Sequence, residues 1–179
     1  MASSSTGEFE WGGKVQGSDS SYEQMRYRGT WYALYDCVHI RSDGEEPHVG
    51  KIMRMYEENG TRWVRVRWFM KGHELPFLVT KDLSGKNKKE LYIGQGSVKG
   101  VENVNRVETI VRKVSVVCTA RCSRNPQPSQ QIVDGADYIF NKAYDAQERK
   151  LVKMDRIEKG LASKLFNQER HLKMEGPSP

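Results

Sequence analysis

A mainly β fold, a distorted and partly closed barrel or sheet with one C-terminal helix, is what this sequence predicts, and three observations point to it. Short runs rich in aromatic and β-branched residues recur between turn signals from Tyr32 to Met154. No long alternation of strand-like and helix-like segments appears, which argues against an α/β enzyme. After Asp155 the apolar spacing changes to three or four residues, at Ile157, Leu161, Leu165 and Leu172, with charges between them.

The 179 residues leave room for one domain with tails. Residues 1–21 are rich in Ser and Gly and read as a flexible arm, with Phe9 and Trp11 as the only anchors. The domain proper is expected over 22–155, a helix over 156–174 and a disordered tail over 175–179. Hydrophobic residues are 37% and charged residues 29% of the chain, and no apolar run approaches the ~20 residues that span a bilayer. The start, Met-Ala-Ser-Ser-Ser-Thr-Gly-Glu, lacks the basic and hydrophobic parts of a secretory signal, so an intracellular protein without membrane contact is expected.

Tyr32 to Ile40 reads as the first strand, broken by Ser42-Asp43-Gly44. Val49 to Tyr56 and Thr61 to Met70 read as an antiparallel pair, because Asn59-Gly60 is the favoured centre of a primed hairpin turn. From Gly72 to Lys89 the chain reads as a polar, lysine-rich mobile loop with an apolar patch at Leu75 to Val79. Glu90 to Ile93 is a short strand. The glycines from Gly94 to Gly100 lack the Gly-Lys-Ser/Thr ending of a phosphate loop, which excludes nucleotide binding there. Val107 to Thr119 reads as a strand system, Asn125 to Ser129 as a rigid loop, and Tyr138 to Tyr144 as a strand whose hairpin partner is Leu151 to Met154. In the terminal helix Gly160 is a weak point.

Little in the chain suggests catalysis. Cys37, Cys118 and Cys122 are odd in number and read as reduced thiols, and Cys118-x3-Cys122 has no second pair for a metal; no cofactor is expected. Ser97, Ser115 and Ser129 lie in no nucleophile elbow, and the paired acids Glu45-Glu46 and Glu57-Glu58 sit in polar turns. Lys plus Arg (29) exceed Asp plus Glu (23), so the surface is mildly basic.

The richest segment is Trp63-Val64-Arg65-Val66-Arg67-Trp68-Phe69-Met70. Strand alternation puts Val64, Val66, Trp68 and Met70 on one side and Trp63, Arg65, Arg67 and Phe69 on the other, unless a bulge shifts the register. Trp68 is then either a core residue or one wall of a cage for an alkylated ammonium. Arg62, Arg65 and Arg67 offer a basic stripe for phosphates, although without paired exposed aromatics a solvated face is the simpler reading.

The blocks Gly29-Thr30-Trp31-Tyr32-Ala33-Leu34-Tyr35-Asp36-Cys37-Val38, Glu46-Pro47-His48-Val49-Gly50-Lys51-Ile52, Val64 to Phe69, Lys89-Glu90-Leu91-Tyr92 and Tyr138 to Asp145 resemble, in order and spacing, those of a bromo-adjacent homology (BAH) domain over roughly residues 22–155. Phe9-Glu10-Trp11-Gly12 and Arg124-Asn125-Pro126-Gln127-Pro128-Ser129 further resemble the plant anti-silencing proteins, which join such a domain to an RNA-recognition motif. The resemblance implies a nuclear, non-enzymatic chromatin module whose partner is a histone tail peptide or a chromatin regulatory protein, with at most weak nucleic acid contact. It implies a part in gene silencing and transcript processing at heterochromatin-containing genes, or alternatively a scaffold that docks another regulator. The three positions of the methyl-lysine cage in plant members fall on His48, Trp68 and Met70, with the loop at His73 and Glu74 as a peptide-contacting segment. Only the Trp is aromatic in the required sense, since imidazole and thioether lack tyrosine's electron-rich face and a protonated His48 repels a cation.

Overall fold

The protein is described by a computed structural model covering residues 8–81 and 87–173. Parts of the expected arm (1–7), of the loop after Gly72 (82–86) and the C-terminal end with the tail (174–179) lie outside the described residues. The chain divides into two compact units, one made of residues up to Arg67 with Glu102–Lys113, the other of Trp68–Val101 and the residues from Val114 onward.

In the first unit β1 (Phe9–Lys14) runs antiparallel to β2 (Ser21–Tyr27). The arm expected over 1–21 therefore contains a strand. Trp11 stacks on Tyr22 at 4.3 Å and meets Phe9 edge-on at 4.7 Å, while the Arg62 guanidinium lies 3.9 Å from the Phe9 ring centre. These ring contacts supply the burial that a segment poor in aliphatics lacked on paper. Arg28 and Gly29, at φ 49° and 80°, turn β2 into β3 (Thr30–Ala33).

The single strand expected over Tyr32 to Ile40 is two strands. Tyr35 takes φ 72°, and β4 (Cys37–Ile40) starts afresh after it. The cause is the buried Asp36 carboxylate, which accepts the Ala33 N–H at 2.8 Å and faces the Lys113 ammonium at 3.4 Å. Such a local side-chain bond competes with the sheet ladder and bends the chain out of it. β4 pairs antiparallel with β5 (His48–Glu58), and Asn59–Gly60, at φ 52° and 76°, leads into the neighbouring β6 (Thr61–Lys71) through the primed turn the sequence predicts. Met25, Val38, Ile52, Met55, Val64, Val66 and Val107 are fully buried in this unit.

After β7 (Glu90–Gln95), which belongs to the second unit, β8 (Glu102–Arg106) pairs antiparallel with Trp63–Arg67. β8 was not anticipated, because Glu102, Asn103, Asn105 and Arg106 leave one valine and no apolar alternation to read. The strand system expected over Val107 to Thr119 resolves into a 3-10 turn, β9 (Ile110–Val114), which pairs with β4, and β10 (Val116–Cys118).

The second unit is built on β11 (Tyr138–Asp145). β7 and β10 flank it in parallel, β12 (Lys150–Lys153) forms its antiparallel hairpin, and the end of β6 pairs with β7. Phe69 meets Phe140 edge-on at 5.1 Å, and Leu91, Ile93, Ala143, Met154, Leu165 and Ala162 are buried. Two short helices belong to this unit: α1 (Phe77–Thr80) precedes β7, and α2 (Gln130–Gly135), between β10 and β11, is capped by the Ser129 hydroxyl.

The terminal helix expected over 156–174 is much shorter, α3 (Lys159–Leu165). Glu158 caps it by accepting the Gly160 and Leu161 N–H groups at 2.8 and 2.9 Å, and these bonds hold its carboxyl below the ordinary range. A Cβ on Gly160 would sit 3.0 Å from that carboxylate, so the apparent weak point makes room for the cap. The helix stops because Phe166 turns extended and Asn167 is drawn into a buried polar clamp. Asn167 Oδ1 accepts the Cys118 N–H at 2.8 Å, and its Nδ2 donates to the carbonyls of Cys118 and Pro126 at 2.7 and 2.9 Å. Asn125 Oδ1 accepts the Asn167 N–H at 3.0 Å while its Nδ2 donates to Ala120 O at 2.9 Å. The rigid loop of the sequence reading is rigid for this reason.

Burial pushes the phenols of Tyr32 and Tyr92 above their ordinary 10.0, helped by Tyr27 and Asp36 beside the first and by Glu90 beside the second. A phenol whose folded pKa exceeds its unfolded value contributes stability that is complete below pH ~10 and is lost as pH rises through the folded value. Denaturant unfolding is therefore expected to show a loss of stability above pH ~10 that Tyr32→Phe with Tyr92→Phe reduces. An unchanged alkaline loss in that double variant would contradict the burial argument.

Candidate functional site

β6 carries the residues singled out by the sequence. Burial alternates on Val64 and Val66 and then passes to Arg67 and Phe69, leaving Trp68 and Met70 half-buried. The expected face of Val64, Val66, Trp68 and Met70 is thus not continuous. The switch falls where the partner of β6 changes: Trp63–Arg67 pair with β8, the Trp68 N–H donates to Val101 O at 3.0 Å, and Phe69–Lys71 pair with β7. Gly94 on β7 belongs to the same construction, since a Cβ there would lie 3.3 Å from the Trp68 carbonyl and 3.2 Å from Val101.

Met70 stands opposite Tyr92 and packs on a cluster of Leu75, Tyr92 and Tyr144, with Val79, Ala146 and Leu151 around it. His73 and Glu74 lie in a 3-10 turn, both exposed, and the Glu74 carboxylate accepts the Lys71 N–H at 3.0 Å. Leu75 and Val79 fold the loop back onto Met70. Phe77 and Leu78 between them remain 77% and 75% exposed. Trp68, Met70, His73 and Glu74 thus all belong to the second unit, and His48, the exposed first residue of β5 opposite Ile40, belongs to the first.

Tyr92 and Tyr144 are the residues of this cluster that sequence reasoning missed. Each sits inside a legible strand, but only the pairing of β6 with β7 and of β7 with β11 brings them to Met70. The basic stripe does not hold as drawn. Arg67 is buried, its side chain 8% exposed and bonded to Glu102 at 2.5 Å, and Arg62 covers Phe9 and faces Glu57 at 3.6 Å. A cation already neutralised and desolvated by a carboxylate has little to offer a phosphate. Cys37 and Cys118 are buried and Cys122 is half-buried, all as free thiols. Among the described residues no three His, Cys, Asp or Glu side chains gather as metal ligands, and no helix is long and apolar enough to cross a membrane.

The family model for the BAH domain matches residues 30–155. Protein ANTI-SILENCING 1 of Arabidopsis thaliana is 34% identical over 158 residues, which are 81% of this chain and 24% of that protein. DNA (cytosine-5)-methyltransferase CMT2 of Arabidopsis thaliana is 25% identical over 132 residues, 73% of this chain and 9% of the relative. The chain thus spans about a quarter of the first relative and less than a tenth of the second. Among solved structures, the crystal structure of the yeast Rsc2 BAH domain superposes with a TM-score of 0.54 at 16% identity, covering 78% of this chain and 58% of that one. At that identity the likeness is one of fold.

Proposed function

The chain belongs to the BAH domain family, and from that premise we propose that it is a non-enzymatic, nuclear chromatin-binding module that engages a histone tail without depending on lysine methylation. The observation that carries the reading is the stretch from Trp68 to Leu78. It combines one half-buried indole, the polar exposed pair His73 and Glu74, and two exposed apolar side chains, Phe77 and Leu78, whose neighbours Leu75 and Val79 are anchored on Met70. An exposed carboxylate beside exposed apolar residues suits a lysine- and arginine-bearing peptide. With His48 and Met70 where tyrosines would be, the aromatic faces that select a trimethylammonium are reduced to Trp68. Similarity to Protein ANTI-SILENCING 1 supports a part in regulating gene silencing, within which the sequence resemblance suggests transcript processing at heterochromatin-containing genes.

Phe77 and Leu78 also favour a second reading, in which the same loop docks a chromatin or RNA-processing regulator and leaves histone contact to that partner. A histone-peptide array separates the two. The first reading expects retention on at least one unmodified tail with no gain from trimethylation; the second expects blank histone spots from a folded protein.

A further inference from the structure

One concavity is made wholly of first-unit residues and shares none with the stretch from Trp68 to Leu78. It has a volume of about 330 Å³ and is lined by Tyr27, Arg28, Thr30, Tyr32, Ile110, Val111, Arg112 and Lys113. Three of those side chains are cationic and none is acidic. The Arg28 guanidinium lies 5.2 Å from the Tyr27 ring centre, and its ion pair among the described residues is a long exposed one with Glu8, at 3.5 Å. Lys113 holds its ammonium 5.4 Å from the Tyr32 ring centre, donating to Trp31 O at 2.5 Å and facing Asp36 at 3.4 Å, which leaves one of its three protons for another acceptor. Asp36 itself is buried behind the turn and does not line the space.

The decisive atom is the Tyr27 hydroxyl. Tyr27 is 5% exposed, lines the concavity, and its Oη is buried with no hydrogen-bond partner among the described residues. Buried polar groups are nearly always satisfied, so an orphaned phenol among cations is a donor awaiting an acceptor. An oxyanion supplies that acceptor and the countercharge together.

We propose that this concavity is a binding site for an anionic side chain of a partner peptide, phosphoserine or glutamate, held by the Tyr27 hydroxyl, Arg28 and Lys113. A peptide fits better than nucleic acid for two reasons. Val111, which lines the concavity, is 57% exposed and gives the rim an apolar side. Three other arginines of the unit are already occupied: Arg26 by Glu10 at 2.7 Å, Arg62 by Phe9 and Glu57, and Arg67 by Glu102. The site is a point anchor, whereas a strand of phosphates needs a stripe.

The test is fluorescence titration of the full chain with short Gly-Ser peptides carrying one phosphoserine, one glutamate or unmodified serine, beside single-stranded RNA. Binding is expected for the two anionic peptides and not for the unmodified one, the better of the two identifying the source of the charge. Tyr27→Phe should weaken it about five- to tenfold while thermal stability holds or rises, because the variant removes only an unsatisfied hydroxyl. Arg28→Gln, on the surface, should weaken it comparably. Undiminished binding by both variants, equal binding of the unmodified peptide, or RNA binding that outcompetes the peptides at physiological salt would each overturn the proposal.

Discussion

Replacing Asn167 by alanine is expected to lower the stability of the protein by about 3–4 kcal/mol, the sum of buried groups left unsatisfied at ~1–3 kcal/mol each. The Cys118 N–H loses its acceptor and the Pro126 carbonyl its donor, while the Cys118 carbonyl is left with the Asn125 amide at 3.2 Å alone, in a place where Cys118 is fully buried and Asn125 nearly so. Water cannot readily replace them. Asn167→Asp keeps the acceptor but sets a carboxylate against the Cys118 carbonyl, so it should fare no better. Against a typical total of ~5–15 kcal/mol, the alanine variant loses a large fraction of its margin. Denaturant unfolding should show a lower midpoint at unchanged slope. A loss under ~1 kcal/mol would mean that the clamp is not what ends α3 and fixes the Asn125 loop.

The second large effect is a gain. With tyrosine placed at the second-unit position where the resemblance expects it, Met70→Tyr should strengthen binding of a trimethyl-lysine tail peptide by roughly fivefold, since an added aromatic face contributes on the order of 1 kcal/mol. Adding Trp68→Ala should abolish the gain. Met70 packs against Leu75, Tyr92 and Tyr144, so the larger ring should also destabilise by about 1–3 kcal/mol, which calorimetry of unfolding would register separately from binding. No gain in a folded Met70→Tyr variant would show that positions 68 and 70 do not act on one ligand.

Much of the fold was legible where local chemistry and periodicity agree. Asn59-Gly60 declared its hairpin, and the apolar run of β11 with its return in β12 was read to within a residue or so. What escaped depended on partners distant in sequence. Asp36 splits one apparent strand because its carboxylate caps Ala33 and meets Lys113, a residue far along the chain. β1 is held by Trp11 on Tyr22, and α3 ends early because Asn167 bonds to Cys118. The parallel pairing of β7 and β10 with β11 leaves no turn signature, because no hairpin joins those strands.

The site was legible only in part, for the same reason. Trp68 and Met70 stood out in the aromatic and basic run of β6, but the alternation that would have faced them together with Val64 and Val66 breaks where β6 exchanges β8 for β7. Arg67 looked like surface charge because nothing in its neighbourhood announces Glu102. Tyr27 gave no signal at all, since an orphaned hydroxyl is a property of its surroundings.

The central claim is methyl-independent engagement of a histone tail, and the direct measurement is calorimetric titration of the natural protein with the tail peptide that the array selects, unmodified and trimethylated. The unmodified peptide is expected to bind with an affinity within a few-fold of the trimethylated one, as a lone indole adds only ~0.5–1 kcal/mol. Tight binding that appears only on trimethylation would contradict it.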